Sequence, residues 1–285
     1  MHGHRHLLNN LTAAWGRRND VPYVLTANGT LLRHERKVGV KWLWDQMVSG
    51  RIPKGASRLI AVSAADVARH RSAGVPGDRI VRIPNGLDLG EFGVLPPQGT
   101  FRARHGLGEG PVVTYLGRVS PRKGVDHLVR AFADSAMDPA VLVVAGNDMG
   151  AMAKAQAAAP QGVHFVGLVQ GEERLALLAD TDVLVYPSAD EVFGLVPFEG
   201  LLCGAPVVVS DDCGCGELIA EAGAGLLVGF GDVPGLQSRI RTLIEDAAAG
   251  EAMVRRGRRY VEDRLSFERV AAQHEALYSQ VVESR

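Results

Sequence analysis

Two stretches of this 285-residue chain combine residue types that could do chemistry. The first is Gly117-Arg118-Val119-Ser120-Pro121-Arg122-Lys123-Gly124, and the second runs from Pro187-Ser188-Ala189-Asp190-Glu191 through Val192-Phe193-Gly194-Leu195 to Val196-Pro197-Phe198-Glu199. Lysine is scarce, with Lys37, Lys41, Lys54, Lys123 and Lys154 the full set, so its use beside Arg118 is informative. An Arg fork with a Lys point charge suits a diphosphate. Taken alone, the same loop reads first as a solvated basic turn. The second stretch tips the balance. Pro197 suits a first helical turn, where its missing N–H is no loss. The amides of Phe193, Gly194 and Leu195 would then gather at a helix N-terminus, a ready anion site. Glu191 and Glu199 flank that site. Carboxylates beside bound phosphate need a purpose, because like charges repel, and accepting two O–H bonds from a vicinal diol supplies one. A diphosphate with a diol on each side is the outline of a nucleotide sugar.

The elements that must position these residues are legible as apolar runs. Asp182-Val183-Leu184-Val185-Tyr186 and Pro206-Val207-Val208-Val209 bracket the second stretch, and Val112-Val113-Thr114-Tyr115-Leu116 precedes the first. Continuous apolar runs of strand length indicate a parallel sheet buried on both faces, whose ligands bind at the carboxyl ends of its strands. Further strands are expected at Val141 to Ala145, His164 to Val166 and Ala224 to Val228. Helices are expected after Gly124, over Ala151 to Ala158, over Glu172 to Ala179, and three times near the end: Val233–Asp246, Glu251–Asp263 and Phe267–Val282. Alternation of this kind predicts a doubly wound α/β domain. Before it, Pro84-Asn85-Gly86-Leu87-Asp88 and Pro96-Pro97-Gln98-Gly99 are dense in turn formers and mark a boundary. The expected division is 1–84 as a first domain, 85–110 as a linker and 111–285 as the second domain.

The first domain reads as partial. A helix over Leu7 to Trp15 follows the first methionine at once, and strands are expected only near Val21–Thr26, Arg58–Val62 and Arg79–Ile83, with helices from a Ser63 cap to Arg71 and over Val38–Val48. Three strands are few for a sheet covered on both faces. Charge is uneven: residues 1–110 hold 16 Lys/Arg against 8 Asp/Glu, and the rest hold 15 against 24. A basic half suits an anionic partner or is simply uneven solvated surface. No stretch reaches the apolar length of a membrane span and no signal sequence opens the chain, so a cytoplasmic protein is expected. Cys203, Cys213 and Cys215 are too few for a disulfide framework, and Cys213-Gly214-Cys215, with Asp211-Asp212, reads as a structural loop without a metal. Lys37, Lys41, Trp42 and Trp44 could pack on the core or meet a membrane interface.

The joint motifs Gly-Arg-x-x-x-x-Lys-Gly at 117–124 and Pro-Ser-x-x-Glu-x-Phe-Gly-Leu-x-x-x-Glu at 187–199 resemble the donor-binding half of family 4 glycosyltransferases. Ile83-Pro84-Asn85-Gly86-Leu87-Asp88 resembles that family's interdomain segment. The resemblance implies a GT-B fold of two Rossmann-like domains, the C-terminal one complete and the N-terminal one lacking its first strands. It implies a retaining glycosyltransferase of hexosyltransferase type that takes sugar from a nucleotide-diphosphate sugar, and the basic first half favours a saccharide or lipid-linked acceptor, as in cell-surface polysaccharide or glycolipid synthesis. Gly117, Arg118 and Lys123 would hold the donor diphosphate with neither metal nor cofactor. Glu199 would bind the nucleotide ribose, and Glu191 with the amides of Phe193, Gly194 and Leu195 would face the transferred sugar and its phosphates. His2-Gly3-His4-Arg5 resembles the family's His-Gly-x-Arg, which would make His2 a catalytic group, although the strand that should precede it is missing. Asn28 stands where many members carry His. The expected catalytic set is therefore Glu191, Arg118, Lys123 and His2, with peripheral membrane contact through the basic half and no nucleic acid. Competing readings are a GT-B nucleotide-sugar epimerase and an inactive nucleotide-sugar-binding fragment.

Overall fold

A computed structural model describes residues 1–3, 5–29, 51–133 and 139–284. The helix expected over 38–48, with Trp42, Trp44, Lys37 and Lys41, lies outside the described residues, as does His4. The chain divides into two units, Met1–Gly86 with Phe267–Arg285 and Leu87–Ser266.

In the first unit, among the described residues, β1 (Val24–Thr26), β2 (Arg58–Ala61) and β3 (Ile80–Arg82) form a parallel sheet in the order β1-β2-β3. Leu25 pairs with Leu59 and Ile60 with Val81. Helices α1 (Leu7–Arg18), α2 (Arg51–Gly55) and α3 (Ala64–Ser72) accompany it. Ser63 caps α3 as its residue type predicts: its hydroxyl accepts from the Asp66 amide at 3.1 Å, and the Asp66 carboxylate accepts from the Val62 amide. One face of the sheet buries Leu25 and Leu59 with Ala13, Ile52 and Val75; Ile60 and Ile83 pack with Val270 and Leu277.

Two expectations are corrected here. Residues 1–3 are not a bare lead into a helix: His2 forms a parallel bridge with Thr26, whose amide donates to the Met1 carbonyl at 2.9 Å, while the Gly3 amide donates to the Thr26 carbonyl at 2.8 Å. This strand pairing was invisible to pattern reading because three residues carry no periodicity. The final helix, Phe267–Glu283, belongs to the first unit, not to the second domain. Val270, Leu277 and Val281 are its buried residues, spaced to lie along one helical stripe, and that stripe closes the Ile60–Ile83 cluster.

The second unit holds six parallel strands in the order β6-β5-β4-β7-β8-β9 among the described residues. They are β4 (Val112–Leu116), β5 (Val141–Ala145), β6 (Val163–Gly167), β7 (Val183–Tyr186), β8 (Val207–Ser210) and β9 (Gly225–Val228). β4, β7 and β8 are buried along their whole length, as continuous apolar runs require. The connecting helices are α4 (Thr100–His105), α5 (Val125–Ala131), α6 (Met152–Ala157), α7 (Gly171–Ala179), α8 (Val196–Cys203), α9 (Gly214–Ala222), α10 (Val233–Glu245) and α11 (Ala247–Tyr260).

Sequence reading missed α4 and α9. The segment 85–110 is more than a linker: the Gly99 and Arg102 amides donate to the buried Asp180 carboxylate at 2.5 and 2.9 Å, so α4 is capped from a distant part of the chain. In α9 the opening Gly-Cys-Gly suppresses helix propensity, and the cap comes instead from Cys213, whose sulfur accepts from the Gly216 amide. Cys213 and Cys215 are free, buried thiols.

The sheet order fixes where a ligand can sit. Chain progression leaves β4 outward through β5 to β6, then returns to β7 on the other side of β4 and runs outward again. The reversal lies between β4 and β7, whose carboxyl ends carry the two motif stretches, and a crevice forms at such a switch point.

Candidate active site

Glycines bring the strand exits together. Gly117 and Gly146, following β4 and β5, have φ of 148° and 149°, and a Cβ on Gly146 would lie 1.7 Å from the Gly117 carbonyl oxygen. The first loop then folds against the second. Gly124 has φ 64°, and a Cβ there would meet the Pro187 carbonyl at 2.2 Å. The Ala189 amide donates to the Arg122 carbonyl at 2.8 Å, and the Arg122 guanidinium donates to the Asp190 carbonyl at 2.8 Å.

This stitching delivers Lys123 to Glu191. Lys123 is 8% exposed, and its ammonium donates to Glu191 Oε2 and, at 2.8 Å, to the Tyr186 hydroxyl. Tyr186 donates in turn to Glu191 Oε2 at 3.0 Å. Burial alone would push the Glu191 carboxyl up; the Lys123 charge and hydrogen bond, the Tyr186 hydrogen bond and the Arg118 charge outweigh it and hold the group below the ordinary carboxylate value. Burial, then the Glu191 charge, pushes the Tyr186 phenol well above its ordinary value, so it stays a donor. Lys123 has three N–H bonds and spends two of them on these partners. Arg118 is exposed, and Tyr115 O–H donates to its carbonyl at 2.7 Å.

The second stretch supplies the amides. α8 begins at Val196 with Pro197 in its first turn, as expected. The Phe193, Gly194 and Leu195 amides donate to no backbone carbonyl among the described residues. Gly194 has φ 83°, and the loop rests on α9: the Gly214 amide donates to the Glu191 carbonyl at 2.9 Å, and a Cβ on Gly214 would lie 2.1 Å from the Val192 carbonyl. Cys215 sits beneath Gly194; burial, followed by the Cys213 hydrogen bond, raises its thiol well above the ordinary range and makes it a packing group.

Glu199 is placed differently from a free carboxylate. Its Oε2 accepts from Arg174 Nη1 at 2.5 Å, an ion pair that sequence reading missed because Glu172-Glu173-Arg174 looks like a solvated helix face. Tyr186 and Tyr115 were also missed. Their signal was present: a tyrosine inside an apolar parallel strand must find a partner for its hydroxyl. His2 belongs to the first unit. There its Nδ1 lies 3.2 Å from Asn28 Nδ2, and burial, the nearby amino terminus and His274 lower its pKa, keeping the imidazole neutral. Asn28 takes φ 47° in that turn. Among the described residues no group of three or more His, Cys, Asp and Glu could hold a metal ion, and no helix is long and apolar enough to cross a membrane.

The second unit is thus a doubly wound α/β sheet with cations, free amides and paired carboxylates at its switch point. The family model described as glycosyl transferases group 1 matches residues 98–260, and that of glycosyltransferase family 4 matches residues 1–91. The chain belongs to the glycosyl transferases group 1 family. It is 30% identical over 227 residues to a GDP-mannose-dependent alpha-(1-6)-phosphatidylinositol monomannoside mannosyltransferase of Mycolicibacterium smegmatis, covering 75% of this chain and 59% of that protein. It is 28% identical over 287 residues to a glycogen synthase of Mycobacterium tuberculosis, covering 98% and 68%. Among solved structures, the Anabaena protein Alr3699/HepE in complex with UDP superposes with a TM-score of 0.83 at 22% identity, covering 95% of this chain and 76% of that one. Sucrose-phosphate synthase from Thermosynechococcus elongatus gives 0.77 at 26% identity, covering 95% and 71%. The fold is GT-B. The chain spans about three fifths of the length of the first mannosyltransferase relatives.

Proposed function

We propose that this chain binds a nucleotide-diphosphate sugar and transfers the sugar, with retention at its anomeric carbon, to a saccharide or lipid-linked acceptor. The observation that carries the reading is the cluster at the switch point, where Arg118, the Lys123–Glu191–Tyr186 triad and the free amides of Phe193 to Leu195 converge. As the bond from the anomeric carbon to the diphosphate breaks, negative charge grows on the leaving oxygens and positive charge on the ring. Arg118, the third N–H of Lys123 and the loop amides neutralise the first in place of a metal. The Glu191 carboxylate, kept ionised by its partners, is suited to a sugar hydroxyl or to the cationic ring face. Glu199 accepts from the ribose hydroxyls. The acceptor hydroxyl adds on the face the diphosphate leaves and gives up its proton to it. His2 would serve the acceptor side as a neutral imidazole.

Relatives named as GDP-mannose-dependent transferases, and a neighbour solved with UDP-glucose, identify the donors to try first. The test is incubation with radiolabelled GDP-mannose or UDP-glucose, with and without oligosaccharide or glycolipid acceptors and with EDTA. Acceptor-dependent release of nucleoside diphosphate that survives EDTA supports the reading. Conversion of the donor sugar without acceptor indicates an epimerase. Binding without turnover by any acceptor leaves only a donor-binding fragment.

A further inference from the structure

Arg174 stands out because it joins parts of the second unit that are remote in sequence. Its Nη1 donates to Glu199 Oε2 at 2.5 Å, its Nη2 to Glu91 Oε2 at 2.9 Å, and its guanidinium lies 5.7 Å from the centroid of the Phe92 ring. Glu91 and Phe92 belong to the short turn Leu89–Phe92, while Arg174 and Glu199 stand on α7 and α8. The Arg174 and Glu199 side chains are 20% and 16% exposed, against 58% for Glu91, so the inner pair is shielded and the outer one is in water. A surface pair of the outer kind fixes little. The inner contact occupies one oxygen of Glu199 and leaves Oε1 without a partner among the described residues. A carboxylate held through one oxygen has a defined direction for the other.

We infer that Arg174 is a positioning residue for the ribose contact: it clamps Glu199 so that Oε1 meets the nucleotide diol, and thereby sets discrimination between ribonucleotides and deoxyribonucleotides. The inference rests on the donor-site reading above and deepens it. The Phe92 ring lies against the same guanidinium, and Glu91 satisfies its other nitrogen. Arg174 itself touches no donor.

The experiment is calorimetric titration of the full chain with GDP and 2′-deoxy-GDP, and with UDP and 2′-deoxy-UDP. Wild type should prefer the ribonucleotide by about tenfold or more, the loss expected when a charged acceptor is left without its donor. Glu199→Gln should reduce that preference to within about threefold. Arg174→Met should do the same, weakening the ribonucleotide while leaving the deoxyribonucleotide unchanged. Arg174→Lys, which keeps a charge in reach of Glu199, should fall between them and carries the test if the methionine variant fails to fold by circular dichroism. A merely structural role would weaken both nucleotides equally, so an Arg174 variant with the wild-type ratio overturns the inference while leaving the Glu199 reading in place. A wild type that does not distinguish the two nucleotides overturns both.

Discussion

The ammonium of Lys123 meets Glu191 and Tyr186 before any donor arrives, so its removal should have two separable effects. Lys123→Met leaves the Glu191 carboxylate partly buried without its cation, destabilising the fold by roughly 1–3 kcal/mol in urea unfolding. It should also cost about 10²–10³ in transfer rate, as should the exposed Arg118→Ala, which carries no stability penalty. The pH dependence follows from the sign of the Glu191 shift. A carboxyl held below its ordinary value in the folded chain contributes stability above about pH 4.5, and that contribution is lost as pH falls through the folded value. The stability gap between wild type and Glu191→Gln should therefore be full at pH 7 and shrink at lower pH. Arg118, Lys123, Glu191 and Glu199 were legible as chemistry-bearing residues because cations, a scarce lysine among them, cluster with glycines and carboxylates at strand ends. That Lys123 and Glu191 pair with each other, and Glu199 with Arg174, was not legible, since 68 and 25 residues separate the partners.

At the scale of elements, the site depends on loops that approach closer than any side chain permits. Gly124→Ala forces a Cβ onto the Pro187 carbonyl in a left-handed backbone, and should both destabilise the chain by several kcal/mol and abolish donor binding. Gly150→Ala, at φ 97° with open space around its Cβ, carries backbone strain alone and should leave donor affinity intact; thermal melts with and without nucleotide separate the two. Asp180→Ala strips the cap from α4 and should lower stability by about 1–3 kcal/mol without changing donor affinity. The strands of the second unit were readable within a residue or two because burial on both faces makes each an unbroken apolar run. α4 was hidden because its cap comes from Asp180, far along the chain. α9 was hidden because its first turn is built of glycine and cysteine, chosen for close packing under the Glu191 loop.

For the whole molecule, the chain passes between its two units at 86–87 and again at 266–267, so each unit owns a discontinuous or interior piece of sequence. Turn formers announced the first crossing. Nothing announced the second, because Phe267–Glu283 has the same amphipathic character as the helices before it, and only packing decides which sheet receives its stripe. The site residues other than His2 all lie in Leu87–Ser266, which makes nucleotide binding the property this chain can be asked about most directly. The decisive measurement is calorimetric titration of wild type, Arg118→Ala and Lys123→Ala with GDP-mannose and UDP-glucose in the presence of EDTA. Saturable binding of at least one donor by wild type, lost or weakened about a hundredfold or more in both variants, is the predicted result. A folded wild type that binds neither donor, or variants that bind as tightly as wild type, would contradict the account.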